Sequence, residues 1–118
     1  MDTQKAIMAF SQSEKIKSGL IWLSHLLELS TGLPQQETQA SQQITMALTN
    51  MILQEVQLAK KLATDEKWEI AEKNIEQALV MILSGVGHES IIHLTQALSN
   101  VTSIGQRSMS YLKEQGLL

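Results

Sequence analysis

No cysteine occurs in this chain. That removes disulfide staples, thiolate nucleophiles and sulfur-ligated metals together, and it suits a reducing compartment. Proline occurs once, at Pro34, and arginine once, at Arg107. Phosphate backbones are held by clustered lysine and arginine. Here the only basic clusters are Lys15/Lys17 and Lys60-Lys61, against a net charge of −3, so nucleic acid is not an expected partner. The aromatic residues Phe10, Trp22, Trp68 and Tyr111 are too scattered to form a base-stacking platform. The longest apolar run, Ala78 to Leu83, falls far short of the roughly 20 residues of a membrane span. The opening Met1-Asp2-Thr3-Gln4-Lys5 carries an acid near its front and does not read as a signal peptide. A cytoplasmic protein with no membrane partner is expected.

What is present is helical punctuation. Gly32-Leu33, Gly85-Val86 and Gly116-Leu117 each pair a glycine with an apolar residue, the pattern of a left-handed C-cap whose next side chain folds back on the last turn. Four helices follow, at about 3–30, 36–63, 65–84 and 89–115. In the first, Ser11-Gln12-Ser13-Glu14 has the form of a capping box and marks a break behind a short lead-in element. Beyond it Ile16, Leu20, Leu23 and Leu27 step by fours and threes along one face. The second helix shows a face of Ile44, Leu48, Met51, Ile52, Leu58, Ala59 and Leu62, the third one of Trp68, Ala71, Ile75, Ala78, Leu79 and Ile82, and the fourth one of Ile91, Leu94, Leu98, Val101, Gly105 and Leu112.

No glycine or proline separates the second helix from the third, but their stripes lie about 180° apart at 100° per residue. A turn near Thr64–Glu66, capped by Asp65, resolves that conflict. Short connections then make neighbours antiparallel, so residues 1–118 read as one all-α domain, an up-down-up-down four-helix bundle.

Two helices carry more apolar surface than one bundle core needs. Trp22, Leu26 and Leu29 widen the face of the first, while Ile70, Val80 and Met81 leave the third apolar on nearly every side. A lead segment or the C-terminal Leu117-Leu118 packed over them is the bland account. A subunit or partner interface is the sharper one.

Glu55 sits in the middle of the second helix's apolar face, where a carboxylate needs a partner, and Ser11–Lys15 or Arg107–Tyr111 lie at its level. It reads either as a buried acid serving a site or as a boundary residue whose stem packs and whose head reaches water. His88, Glu89 and His93 look metal-like, yet the two histidines are five apart and diverge by about 140° on a helix. Glu89 and His93 at i, i+4 suit an ordinary surface pair. Glu69, Glu72, Glu76 and Lys73 read as a solvated side.

Ser24-His25-Leu26-Leu27-Glu28-Leu29 resembles the phosphoacceptor motif of histidine phosphotransfer domains, which are also four-helix bundles. The resemblance implies a phosphorylated histidine at His25. That family's lysine and glycine after the histidine are replaced here by Glu28 and Leu29, an acid and a bulky apolar group where phosphate and partner would approach.

The expected function is a non-catalytic protein-interaction module without cofactor or metal, self-associating as a homo-oligomer or binding another protein through Trp22, Leu26, Leu29, Ile70, Val80 and Met81. The alternatives are phosphotransfer signalling at His25, and a small-molecule or metal-binding bundle using Glu55 or the His88/Glu89/His93 group.

Overall fold

The computed structural model describes residues 2–118. Helix α1 spans Thr3–Ser30, α2 Gln35–Leu62, α3 Glu66–Leu83 and α4 Ile91–Glu114, with one 3₁₀ turn, Gly87–Ser90, leading into α4. Each helix packs on its neighbours in the chain, and α4 closes back on α1, giving an antiparallel four-helix bundle. No strand occurs among the described residues, and none of their helices is long and apolar enough to cross a membrane.

The faces of α1, α3 and α4 form as their spacing predicts. Ile16, Leu20, Leu23 and Leu27 are buried against Trp68, Ile75 and Ile82 of α3 and Leu94, Val101 and Ile104 of α4. The turn between α2 and α3 also stands where the phase reversal puts it. The Asp65 carboxylate accepts from the Lys67 backbone N–H at 2.9 Å, and the Trp68 ring N–H donates to the Ala63 carbonyl at 3.0 Å. A buried indole thus ties the end of one helix to the start of the next.

Three expectations are corrected. Helix α1 runs unbroken through Ser11, so there is no separate lead-in element. Its core stripe continues backwards through Ser13, Ala9 and Ala6, small residues that permit close contact with α4. A methyl group at Gly105 would lie 2.7 Å from the Ser13 hydroxyl, so the two helices approach there through residues with little side chain.

Gly32 is the second correction. Gly85 and Gly116 have φ of 82° and 74°, and each anchors a six-residue return bond, Val86 N–H to Met81 and Leu117 N–H to Leu112. Gly32 has no positive φ; α1 instead unwinds through successive three-residue turns, Gly32 N–H to Leu29 and Leu33 N–H to Ser30. Pro34 confines the residue before it to extended backbone, which leads the chain straight into α2.

The third concerns α2. Its buried side chains are Thr45, Thr49, Ile52, Val56 and Ala59, whereas Ile44, Met51, Leu58 and Leu62 are exposed. The core-facing threonines satisfy themselves along their own helix: Thr49 donates to the Thr45 carbonyl at 2.6 Å, and Thr45 to Ser41 at 3.1 Å.

Helix lengths set the ends of the molecule apart. The 28 residues of α2 outrun the 18 of α3, by about 15 Å at the usual helical rise. Gln42 marks where α3 stops, its amide donating to the Ile82 and Leu83 carbonyls at 2.6 and 3.1 Å. Beyond it α1 and α2 project together, and residues 31–40 are all exposed.

Candidate interaction surface on the α1–α2 seam

Helix α2 carries two stripes, about 100° apart around its axis. The one facing the core is modest in size and partly polar. The other, Ile44, Leu48, Met51, Glu55, Leu58 and Leu62, runs along the outer side of the junction with α1 and is the more apolar. Ile44 and Met51 are 62% and 60% exposed, while Thr49 on the core side is 0%.

Helix α1 adds to the same outer seam. Gly19 lies against Ile52, and the Ser30 and Ser41 hydroxyls bond each other, which sets the antiparallel register of the two helices. Trp22 and Leu26 therefore sit level with Leu48 and Ile44. Trp22 is 63% exposed and Leu29 71%. Leu26, Leu29, Leu33, Ala40 and Ile44 line a shallow, almost wholly apolar groove.

Glu55 interrupts the stripe and is not stranded there. One carboxylate oxygen accepts from the Lys15 ammonium at 3.1 Å, the other from the Gln12 amide at 3.1 Å. The same amide also donates to the Glu55 backbone carbonyl at 3.2 Å. The Gln12 hydrogen bond, then the hydrogen bond and charge of Lys15, hold the Glu55 pKa below its ordinary value despite opposing partial burial. Of the two segments at its level, α1 supplies the partners. Arg107 reaches Asp65 at the α2–α3 turn instead.

The six apolar residues singled out from the sequence do not form one patch. Leu26 and Leu29 line the groove on the seam, and Trp22, exposed, precedes Leu26 by one turn on the same side of α1. Val80 is exposed and Met81 half-buried on α3, which lies diagonally across the bundle from α1 rather than beside it. Ile70 is at the far end of the bundle, beside Lys5 and Arg107. What sequence reasoning missed is that Ile44 and Met51 belong to the surface, with Leu48 between them only partly buried. The signal was available: an apolar face too wide for one contact, with Thr45 and Thr49 on the same spacing beside it.

His25 is exposed on α1, with Glu28 and Leu29 exposed one turn on. His88 and Glu89 are exposed, whereas His93 is half-buried with its Nδ1 unpartnered. Among the described residues no three histidine, aspartate or glutamate side chains converge as a metal cluster would require. Glu72, placed on the solvated side by sequence, turns toward α2 and pairs with Lys60 at 3.0 Å. Against protein-family models, curated protein sequences and solved structures alike, the chain finds no match.

Proposed function

We propose that this chain is a non-catalytic helical interaction module of the cytoplasm, which works by packing the outer α1–α2 seam against a protein, a second copy or another chain. The observation that carries the reading is the division of α2: Ile44, Met51, Leu58 and Leu62 face water while two threonines, Thr45 and Thr49, take core positions beside Ile52, Val56 and Ala59. Each large apolar side chain left outside forgoes about 1.5 to 3 kcal/mol that burial would supply. Contiguous exposed apolar surface of this kind marks interaction sites in folded proteins, and helix-face packing is a recurrent mode of recognition.

The test uses a photo-crosslinking amino acid at position 51 in the cell, with the same probe at exposed Gln106 on α4 as the control. Adducts to a protein chain are expected from position 51 and not from position 106. Equal labelling from both, or none from position 51, overturns the reading.

A further inference from the structure

We infer that the occupant of the seam is a second copy of this chain, its α2 running antiparallel to the first across a two-fold axis beside Glu55 and Lys15. The inference rests on the seam being an interaction surface and adds which partner it takes.

Spacing is the first argument. Ile44, Leu48, Met51, Glu55, Leu58 and Leu62 are separated by four, three, four, three and four residues. Steps of that kind keep one narrow seam facing one neighbouring helix, as in a coiled coil. Turned end for end about the midpoint between Met51 and Glu55, the series superimposes on itself. Ile44 then meets Leu62 of the second copy and Leu48 meets Leu58. Only the central pair, Met51 with Glu55, is mixed. Trp22 and Leu26, level with Leu48 and Ile44, are placed to cover the second copy's Leu58 and Leu62.

Charge decides the direction. A parallel pairing would set Glu55 against Glu55, and directly apposed like charges are unfavourable. The antiparallel one sets each Glu55 against a thioether and brings two acids and two bases around the axis. The Lys15 side chain is 60% exposed while it holds Glu55, which leaves its ammonium able to bridge to the second carboxylate. An isologous contact must be self-complementary, and a surface presenting one acid and one base beside its centre is.

Size sets the expected strength. The stretch Ile44–Leu62 is about 27 Å long and the helix pair about 20 Å wide. The flat projection is therefore on the order of 500 Å² per copy, at the low end for specific association. A weak, reversible dimer is the expectation for a contact of that size.

The chain is examined by sedimentation equilibrium from about 1 to 500 µM, a span matched to that size class. Wild type is expected to pass from monomer to dimer. Met51→Glu, which sets an acid against Glu55 of the second copy, should weaken the dimer at least tenfold, whereas Met51→Lys should keep or tighten it. Both changes lie at an exposed position, and unchanged helical circular dichroism confirms folding. Because the chain has no cysteine, Ile44→Cys mixed with Leu62→Cys should give a disulfide-linked pair that Ile44→Cys alone does not. A wild type that stays monomeric overturns self-pairing, and adducts from position 51 to a different chain would then leave the wider reading standing. A dimer indifferent to Met51→Glu overturns self-pairing through the seam, and the wider reading then stands or falls on the adducts from position 51. Equal loss with glutamate and lysine, or self-linking of Ile44→Cys, overturns the antiparallel register.

Discussion

The two tryptophans divide the molecule into two ends built on different terms. At the α2–α3 end, Trp68 is fully buried and its ring N–H is spent on the Ala63 carbonyl. Asp65 caps α3 and pairs with Arg107 of α4, and Lys60 pairs with Glu72 across α2 and α3. The last three helices are tied to one another there. At the opposite end α1 and α2 project past α3, joined to each other by the Ser30–Ser41 contact, while Gln42 of α2 holds the last carbonyls of α3. Trp22 stands 63% exposed among other apolar groups. One end buries its tryptophan completely; the other leaves its tryptophan in water.

The largest expected effect tests the closed end. Trp68→Ala removes the biggest fully buried side chain and leaves the Ala63 carbonyl without its donor. A loss of about 3 to 5 kcal/mol is expected from denaturant titration. A loss below about 1 kcal/mol would mean that this end is not the anchor of the fold.

A smaller effect sits on the border between the ends, at Glu55. Its folded pKa lies below the ordinary glutamate value of 4.5, so the unfolded chain takes up the proton first as pH falls. The stabilisation is therefore complete above the unfolded value and disappears as pH drops through the folded one. The pair is partly exposed, so the amount is at most about 1 kcal/mol. Between about pH 5 and 3, wild type should lose more stability than Glu55→Gln, whose side chain has no proton to take up there. Parallel pH profiles for the two would show that the Lys15–Glu55–Gln12 contact contributes nothing to folding.

The closed end was legible in the sequence and the open end was not, for a physical reason. Trp68, Ile75 and Ile82 are large and sit on the only apolar stripe compatible with a turn at Asp65, so period and cap agree. On α2 the same logic misleads. Hydrophobic periodicity finds the most apolar face, and that face is outside; the core accepts Thr45 and Thr49 because their hydroxyls bond within the helix. The start of α1 was missed for a related reason: Ala6, Ala9 and Ser13 pack by closeness of backbone rather than by size. Glu55 was legible as an acid in an apolar stripe, and its partners Gln12 and Lys15 lay in the range that its level indicated.

The smallest expected effect is the sharpest test of the contrast between the tryptophans. Trp22→Lys removes an aromatic ring as large as that of Trp68, and by residue type alone the cost would be similar. In the folded monomer the Trp22 ring gains little by folding, since 63% of the residue remains in water. Stability at low micromolar concentration should therefore change by no more than about 0.5 kcal/mol, the usual range for surface substitutions. At high concentration the same substitution should weaken self-association, because Trp22 is level with the outer stripe of α2 and a lysine there replaces apolar area with a hydrated charge. Fluorescence gives an independent reading: Trp22 in the Trp68→Phe background should emit as a solvated indole when dilute and shift to the blue as the chain is concentrated. A cost of several kcal/mol in the dilute monomer would place Trp22 in the core and erase the distinction between the two ends.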